Sequence, residues 1–363
     1  MVINSLKKDA FYVLVLIILV YLLSKPAFYL YLNISHNNYN EIDSIFDLEH
    51  SFPHRHFFNF LVYLIKYFFL NKISIEIAHI VLVNISVIFS IIIIYSILKI
   101  INSQFTFLAT GSIVLTYPFI GSLSFPIHQD ILVIFFCLVA YYFIKKNIYL
   151  CNVFIFLALL THELALFSIP ILFYLQTENR NNFKKIIFVT LFNIFLYACW
   201  VLYAHGGFTN FFKYFFNVTL HYKENYFSID SIIKWHRDIF GTQYRIAYIG
   251  NFFSFKALWL LVILSFTKYR KIFFRNNFEF FFYLFITLGY LSLSFLYPAD
   301  DTRLISTLLF IVFISLIIKM LKNNKGDIFF LIFLMQIILP NLTTYWEIYP
   351  INPIILKFIF FLI

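Results

Sequence analysis

Residues 148–176 read "IYLCNVFIFLALLTHELALFSIPILFYLQ", and how this stretch folds decides the topology of the whole chain. It lies between two basic clusters, Lys145/Lys146 and Arg180/Lys184/Lys185. One continuous helix would be about 44 Å long at 1.5 Å per residue. That exceeds a hydrocarbon core of about 30 Å and would set the two clusters on opposite sides of it. Two short helices meeting near His162 and Glu163 would each be about 20 Å long. They keep both clusters on one side and put the polar pair at the turn, and this is the expected arrangement.

A membrane frame is imposed by composition. Of 363 residues, 62% are hydrophobic, 23% are aromatic (52 of them Phe) and only 12% are charged. Mean hydropathy is +0.86. A soluble core has no use for so much apolar surface. The apolar runs lack the two-residue alternation of a membrane β-barrel, so the backbone must satisfy itself in helices. The sequence therefore predicts an all-α, polytopic transmembrane helical bundle forming a single integral membrane domain over 1–363. Lys7 and Lys8 precede a long apolar run with no small-residue cleavage site, which reads as an uncleaved first helix. Cys137, Cys151 and Cys199 form neither a disulfide framework nor a metal spacing. The net charge of +10 is concentrated in short clusters between apolar runs, as in cytoplasmic loops, and no nucleic-acid-binding motif accompanies it.

The clusters set the topology when all are placed in the cytoplasm: Lys7/Lys8, Lys145/Lys146, Arg180/Lys184/Lys185, Lys268/Arg270/Lys271/Arg275 and Lys322/Lys325, with Lys99 as a weaker member. Residues 73–98, 131–144, 251–267 and 304–320 then run inward, and 105–120, 186–204, 278–297 and 328–340 run outward. About eleven spans result. Residues 33–72 fall outside, as an outer loop followed by an interfacial helix, "FFNFLVYLIKYFFL" (57–70). Residues 205–250 form an outer amphipathic loop, with Phe208, Phe211, Phe212 and Phe215 at helical spacing.

Four polar constellations then face outward. "DLEHSFPHRHFF" (47–58), with Glu41 and Asp43 before it, offers Asp43, Asp47 and Glu49 as bases and His54, Arg55 and His56 as substrate contacts. The same residues would serve in a solvated loop that merely links helices. His162 and Glu163 are ionisable groups within a mostly apolar stretch, where charge is costly unless paired or wet. Glu163 reads as a base or metal ligand and His162 as a phosphate or sugar contact, against an intramembrane pair that fixes helix packing or a simple turn. "DDTRL" (300–304) suits a helix start capped by Asp301, and Arg303 beside helix N–H groups suits a phosphate. His128 and Asp130 mark another helix start, read as an N-terminal charge at Asp130 or as an outer-face polar pair in which His128 contacts substrate. A divalent cation among these acids is open. No phosphate-binding glycine loop, nucleophile elbow or HExxH zinc motif occurs.

Asp43, Asp47 and Glu49 ahead of "FFNFLVYLIKYFFL" resemble the first outer loop of the GT-C-fold glycosyltransferases, which carries a catalytic acid followed by interfacial helices. "THELALFSIP" and "DDTRL" resemble polar signatures of bacterial membrane proteins from polysaccharide gene clusters, including the O-antigen and capsule repeat-unit polymerases. The resemblance implies a GT-C-like arrangement in a bacterial inner membrane with a periplasmic active site. It implies glycosyl transfer from polyprenyl-(di)phosphate-linked sugars, foremost by a repeat-unit polymerase. A single-sugar GT-C transferase and a lipid-linked oligosaccharide flippase are the alternatives. The implied partners are the lipid-linked saccharide, membrane lipids and polysaccharide-assembly proteins.

Overall fold

The computed structural model describes residues 2–34, 56–124, 130–179, 183–210, 251–296, 301–339, 341–345 and 347–350. The first half of the described residues holds α1 (Val2–Ile34), α2 (His56–Phe68), α3 (Ile75–Ile101), α4 (Thr106–Val114), α5 (Tyr117–Ser124), α6 (Asp130–Phe143), α7 (Ile148–Thr161) and α8 (Ile169–Asn179). Helices α9 (Phe183–Ala204), α10 (Trp259–Phe266), α11 (Arg270–Phe273), α12 (Asn277–Leu296), α13 (Asp301–Lys322) and α14 (Ile328–Ile338) follow. Among the described residues the strands are those of a short antiparallel hairpin, β1 (Leu342–Tyr345) with β2 (Glu347–Pro350), in which Thr344 faces Ile348.

Asparagine makes many of the connections, because its short amide can satisfy the free N–H groups at a helix start. Asn147 accepts from the N–H groups of Tyr149 and Leu150 (2.9 and 3.3 Å) to start α7. Asn102 closes α3 and accepts from Gln104 and Phe105 N–H to launch α4. Asn276 accepts from Glu279 N–H at 2.8 Å to start α12. Asn71 and Asn324 take left-handed backbone (φ 57° and 54°), which asparagine tolerates better than most residues.

Among the described residues, three helices are long and apolar enough to cross a membrane: Ile77–Ile101 within α3, α9, and Ile305–Lys322 within α13. Helices α4 and α5 together would make a fourth, bent by 48°. That bend revises the straight span expected over 105–120. Pro118 lacks an N–H and disfavours helical backbone at the residue before it, so it sits in the first turn of a new helix. The expected span over 251–267 is also interrupted, by a 3₁₀ turn at Lys256–Leu258.

The decisive stretch does reverse. Asn152, near the start of α7, donates from Nδ2 to Gln176 Oε1, near the end of α8, at 3.3 Å. In a continuous helix these residues would stand about 36 Å apart. Asn193 of α9 joins them, donating to Asn152 O at 2.8 Å and to Asn152 Oδ1 at 3.1 Å. The two halves meet at His162 and a 3₁₀ turn, Glu163–Ser168.

Basic clusters gather at one end of the bundle. Lys145, Lys146, Arg275, Lys319 and Lys322 line a common cavity with Ile100 and Ile101 of α3. Lys99 pairs with Asp9 beside Lys7 and Lys8, and Lys185 lies over the Tyr149 ring at 4.6 Å. We call this the basic end and its opposite the far end. At the centre runs α13, with 89% of its spanning window buried, against 22% for α9. Helices α3, α4, α5, α6, α8, α10, α11 and α12 all pack on it, as do the 163–168 turn and β1. Its buried Ser306, Thr307 and Ser315 suit this role, because helices in lipid gain from close packing and hydrogen bonds rather than from apolar burial.

Candidate functional site

The hairpin apex is built by a histidine. His162 takes extended backbone (φ −162°, ψ 138°) and caps the 163–168 turn, its Nδ1 accepting from Leu164 N–H at 3.1 Å. In that contact Nδ1 presents its lone pair. Glu163 Oε2 lies 3.4 Å from the same Nδ1, but a nitrogen that is accepting cannot also donate to the carboxylate. His162 is buried in this arrangement as a cap, while the Glu163 side chain is about one-third exposed. The cap is the structural role read for the pair. The carboxylate beside it is accessible for chemistry.

Register locates the apex. Glu279 pairs with Lys319, and Tyr283 Oη meets Ser315 Oγ at 2.5 Å, which aligns α12 antiparallel to α13. Continuing that alignment, Tyr290 comes level with the middle of α13, and its hydroxyl donates to Phe167 O. The 163–168 turn thus lies along the half of α13 nearer its start, the far end, where Asp301 and Arg303 sit. Helices α6 and α7 form a hairpin through Lys145–Asn147, with Phe154 stacked on Phe143 and Phe136. Buried Asp130, at the start of α6, is therefore also at the far end.

Among the helical segments that begin at this end with an acid in the first turn are α6 with Asp130, the 3₁₀ turn with Glu163 and α13 with Asp301. Asp43, Asp47, Glu49, His54, Arg55 and His128 lie outside the described residues. His56, Asp301 and Arg303 are placed by their helices, and their side chains lie outside the described ones. Helix α2 is seated with Phe57 against Phe136 (6.1 Å) and Phe58 edge-on to His79 (4.7 Å), so the chain enters α2 beside α6 and α3. Among the described residues no three His, Cys, Asp or Glu side chains form a group able to hold a metal ion.

Two ionisable sites escaped the sequence reading. At the basic end, Glu279 is buried and pairs with Lys319, whose Nζ also donates to Phe273 O at 2.9 Å and lies 4.4 Å from the Tyr283 ring centre. Glu279 Oε2 accepts from Arg275 N–H at 2.7 Å. Deeper in the bundle, fully buried Lys256 takes left-handed backbone (φ 47°) at the break before α10. Its Nζ donates to Gln336 O at 2.8 Å and Asn341 Oδ1 at 2.9 Å, and Gln336 Nε2 returns a bond to Phe255 O at 2.9 Å. These acceptors are neutral, and the Lys256 amine ties the break before α10 to α14 and to Asn341. The rule that flagged His162–Glu163, that an ionisable group inside an apolar run has a task, would have found Glu279, Lys319 and Lys256.

In comparisons with protein-family models, curated proteins and solved structures, nothing matches this chain.

Proposed function

We propose that the chain is a membrane glycosyl-transferring enzyme acting on polyprenyl-(di)phosphate-linked sugars in surface polysaccharide assembly, most closely a repeat-unit polymerase. In this reading the basic end lies in the cytoplasm of a bacterial inner membrane. The far end faces the periplasm, and the chain crosses about eleven times in a GT-C-like arrangement. The observation that carries it is the convergence of helix starts at the far end, with the partly exposed Glu163 carboxylate among them. Helix N-termini with Arg303 in a first turn suit a phosphate leaving group. The acceptor hydroxyl attacks the anomeric carbon, the bond to the lipid phosphate breaks, and Glu163 takes the hydroxyl proton. Asp43, Asp47 and Glu49 are the further candidate acids, and His54, Arg55, His56, His128, Asp301 and Arg303 the substrate contacts. His162 is a further substrate contact besides capping the turn.

The test is the surface-glycan ladder of the native host on a gel. Glu163→Gln and Arg303→Ala, each inserted at normal levels, are expected to abolish elongation and leave a core bearing one repeat unit. A missing or altered repeat would assign a single-sugar transferase instead. A full ladder from both variants would remove these residues from the site. The interrupted helices at Leu115–Thr116 and Lys256 favour a second reading, a transporter of lipid-linked glycan, since broken helices with buried polar groups line transport paths. Movement of a labelled lipid-linked glycan in proteoliposomes, without bond formation, would select it.

A further inference from the structure

We propose that the basic end carries a binding site for the phosphate group of an amphiphile, an anionic lipid headgroup, separate from the far-end site and independent of its chemistry. The site is a cavity of about 280 Å³ between α3, the α6–α7 connection, the α11–α12 connection and α13. Lys145, Lys146, Arg275, Lys319 and Lys322 line it against the single carboxylate of Glu279. Four positive charges are therefore in excess within one concavity. They come from three separate places in the chain, so this is a product of the fold and not of one basic run.

The cavity divides into a neutralised floor and a charged rim. On the floor, Lys319 is held by Glu279 and Phe273 O, and Ser315 by Tyr283. On the rim, Lys145, Lys146, Arg275 and Lys322 are exposed. Lys146 is held over the Tyr142 ring at 3.5 Å, which fixes its ammonium at the mouth. The remaining wall is apolar, formed by Ile97, Ile101, Ile318 and Phe273, and Ile100 is 75% exposed on its outer flank. Charge at the mouth and hydrocarbon along the wall match a phosphate head with the first carbons of a chain. The volume is at the small end of ligand pockets, roughly 300–1,000 Å³. It therefore fits a headgroup and not a whole lipid. Basic pockets between helices at a membrane surface recognise such headgroups by charge, at about fivefold in affinity per lysine.

The experiment is titration calorimetry on the full chain in a neutral detergent. The probes are dihexanoyl phosphatidic acid, dihexanoyl phosphatidylcholine and inorganic phosphate. Phosphatidic acid is expected to bind far more tightly than the other two. The variant Lys145→Gln/Lys146→Gln/Lys322→Gln is expected to lose on the order of a hundredfold. The matching Lys→Arg triple should retain binding and shows that the rim tolerates substitution. Lys184→Gln/Lys268→Gln changes exposed charge outside the cavity and should leave binding nearly intact. Equal affinity for inorganic phosphate would assign the site to a free anion and overturn the lipid assignment. Equal loss in the Lys184/Lys268 control would reduce the effect to diffuse surface charge and overturn the site.

Discussion

Glu279 and Lys319 show how an ionisable pair survives inside so apolar a chain. The carboxylate has the Lys319 ammonium on one oxygen and Arg275 N–H on the other, and the ammonium has a carbonyl and an aromatic face besides. Removing one partner strands the other, at about 3–5 kcal/mol, whereas replacing both with neutral side chains costs far less. Glu279→Ala and Lys319→Met are each expected to destabilise the chain strongly, and Glu279→Gln/Lys319→Met much less than their sum. Thermal unfolding in detergent checks this as a double-mutant cycle, and simple additivity would dissolve the pair. The pair was not legible in the sequence because its members are 40 residues apart and each borders a basic cluster that already explained itself as a topology signal. His162 and Glu163 were legible because nothing else polar surrounds them.

At the scale of elements, the hairpin of α7 and α8 carries the topology. Its break could be read from two polar residues midway along 29 mostly apolar ones. Pro118 hinted at the bend between α4 and α5. At Lys256 a lysine in an apolar run was the only sign. Its partners, Gln336 and Asn341, are at least 80 residues away, which no local pattern encodes. The Asn152–Gln176 contact makes the hairpin testable. With Cys137, Cys151 and Cys199 replaced, Asn152→Cys/Gln176→Cys is expected to form an intramolecular cross-link under mild oxidation, read as a gel shift reversed by reductant. A continuous helix would hold the two about 36 Å apart and give none.

Taken whole, the molecule is polarised. Lys145, Lys146, Arg275, Lys319 and Lys322 collect around one end, and the starts of α6, the 163–168 turn and α13 collect at the other, with α13 between them. Charge clustering predicted this division, because loops that share a side share a charge bias. The helix lengths were less legible, since α4, α5 and α10 pack on α13 and α14 packs on α4, contacts that no local pattern encodes. The most direct measurement is the side from which single cysteines react with a membrane-impermeant thiol reagent in sealed vesicles of known orientation, in a chain with its native cysteines replaced. Lys146→Cys, Lys184→Cys and Lys322→Cys are predicted to label from one side and Glu163→Cys from the other. Labelling of Lys146→Cys and Lys184→Cys from opposite sides would mean that residues 148–176 cross once, contradicting the reversal at His162 on which the far-end site depends.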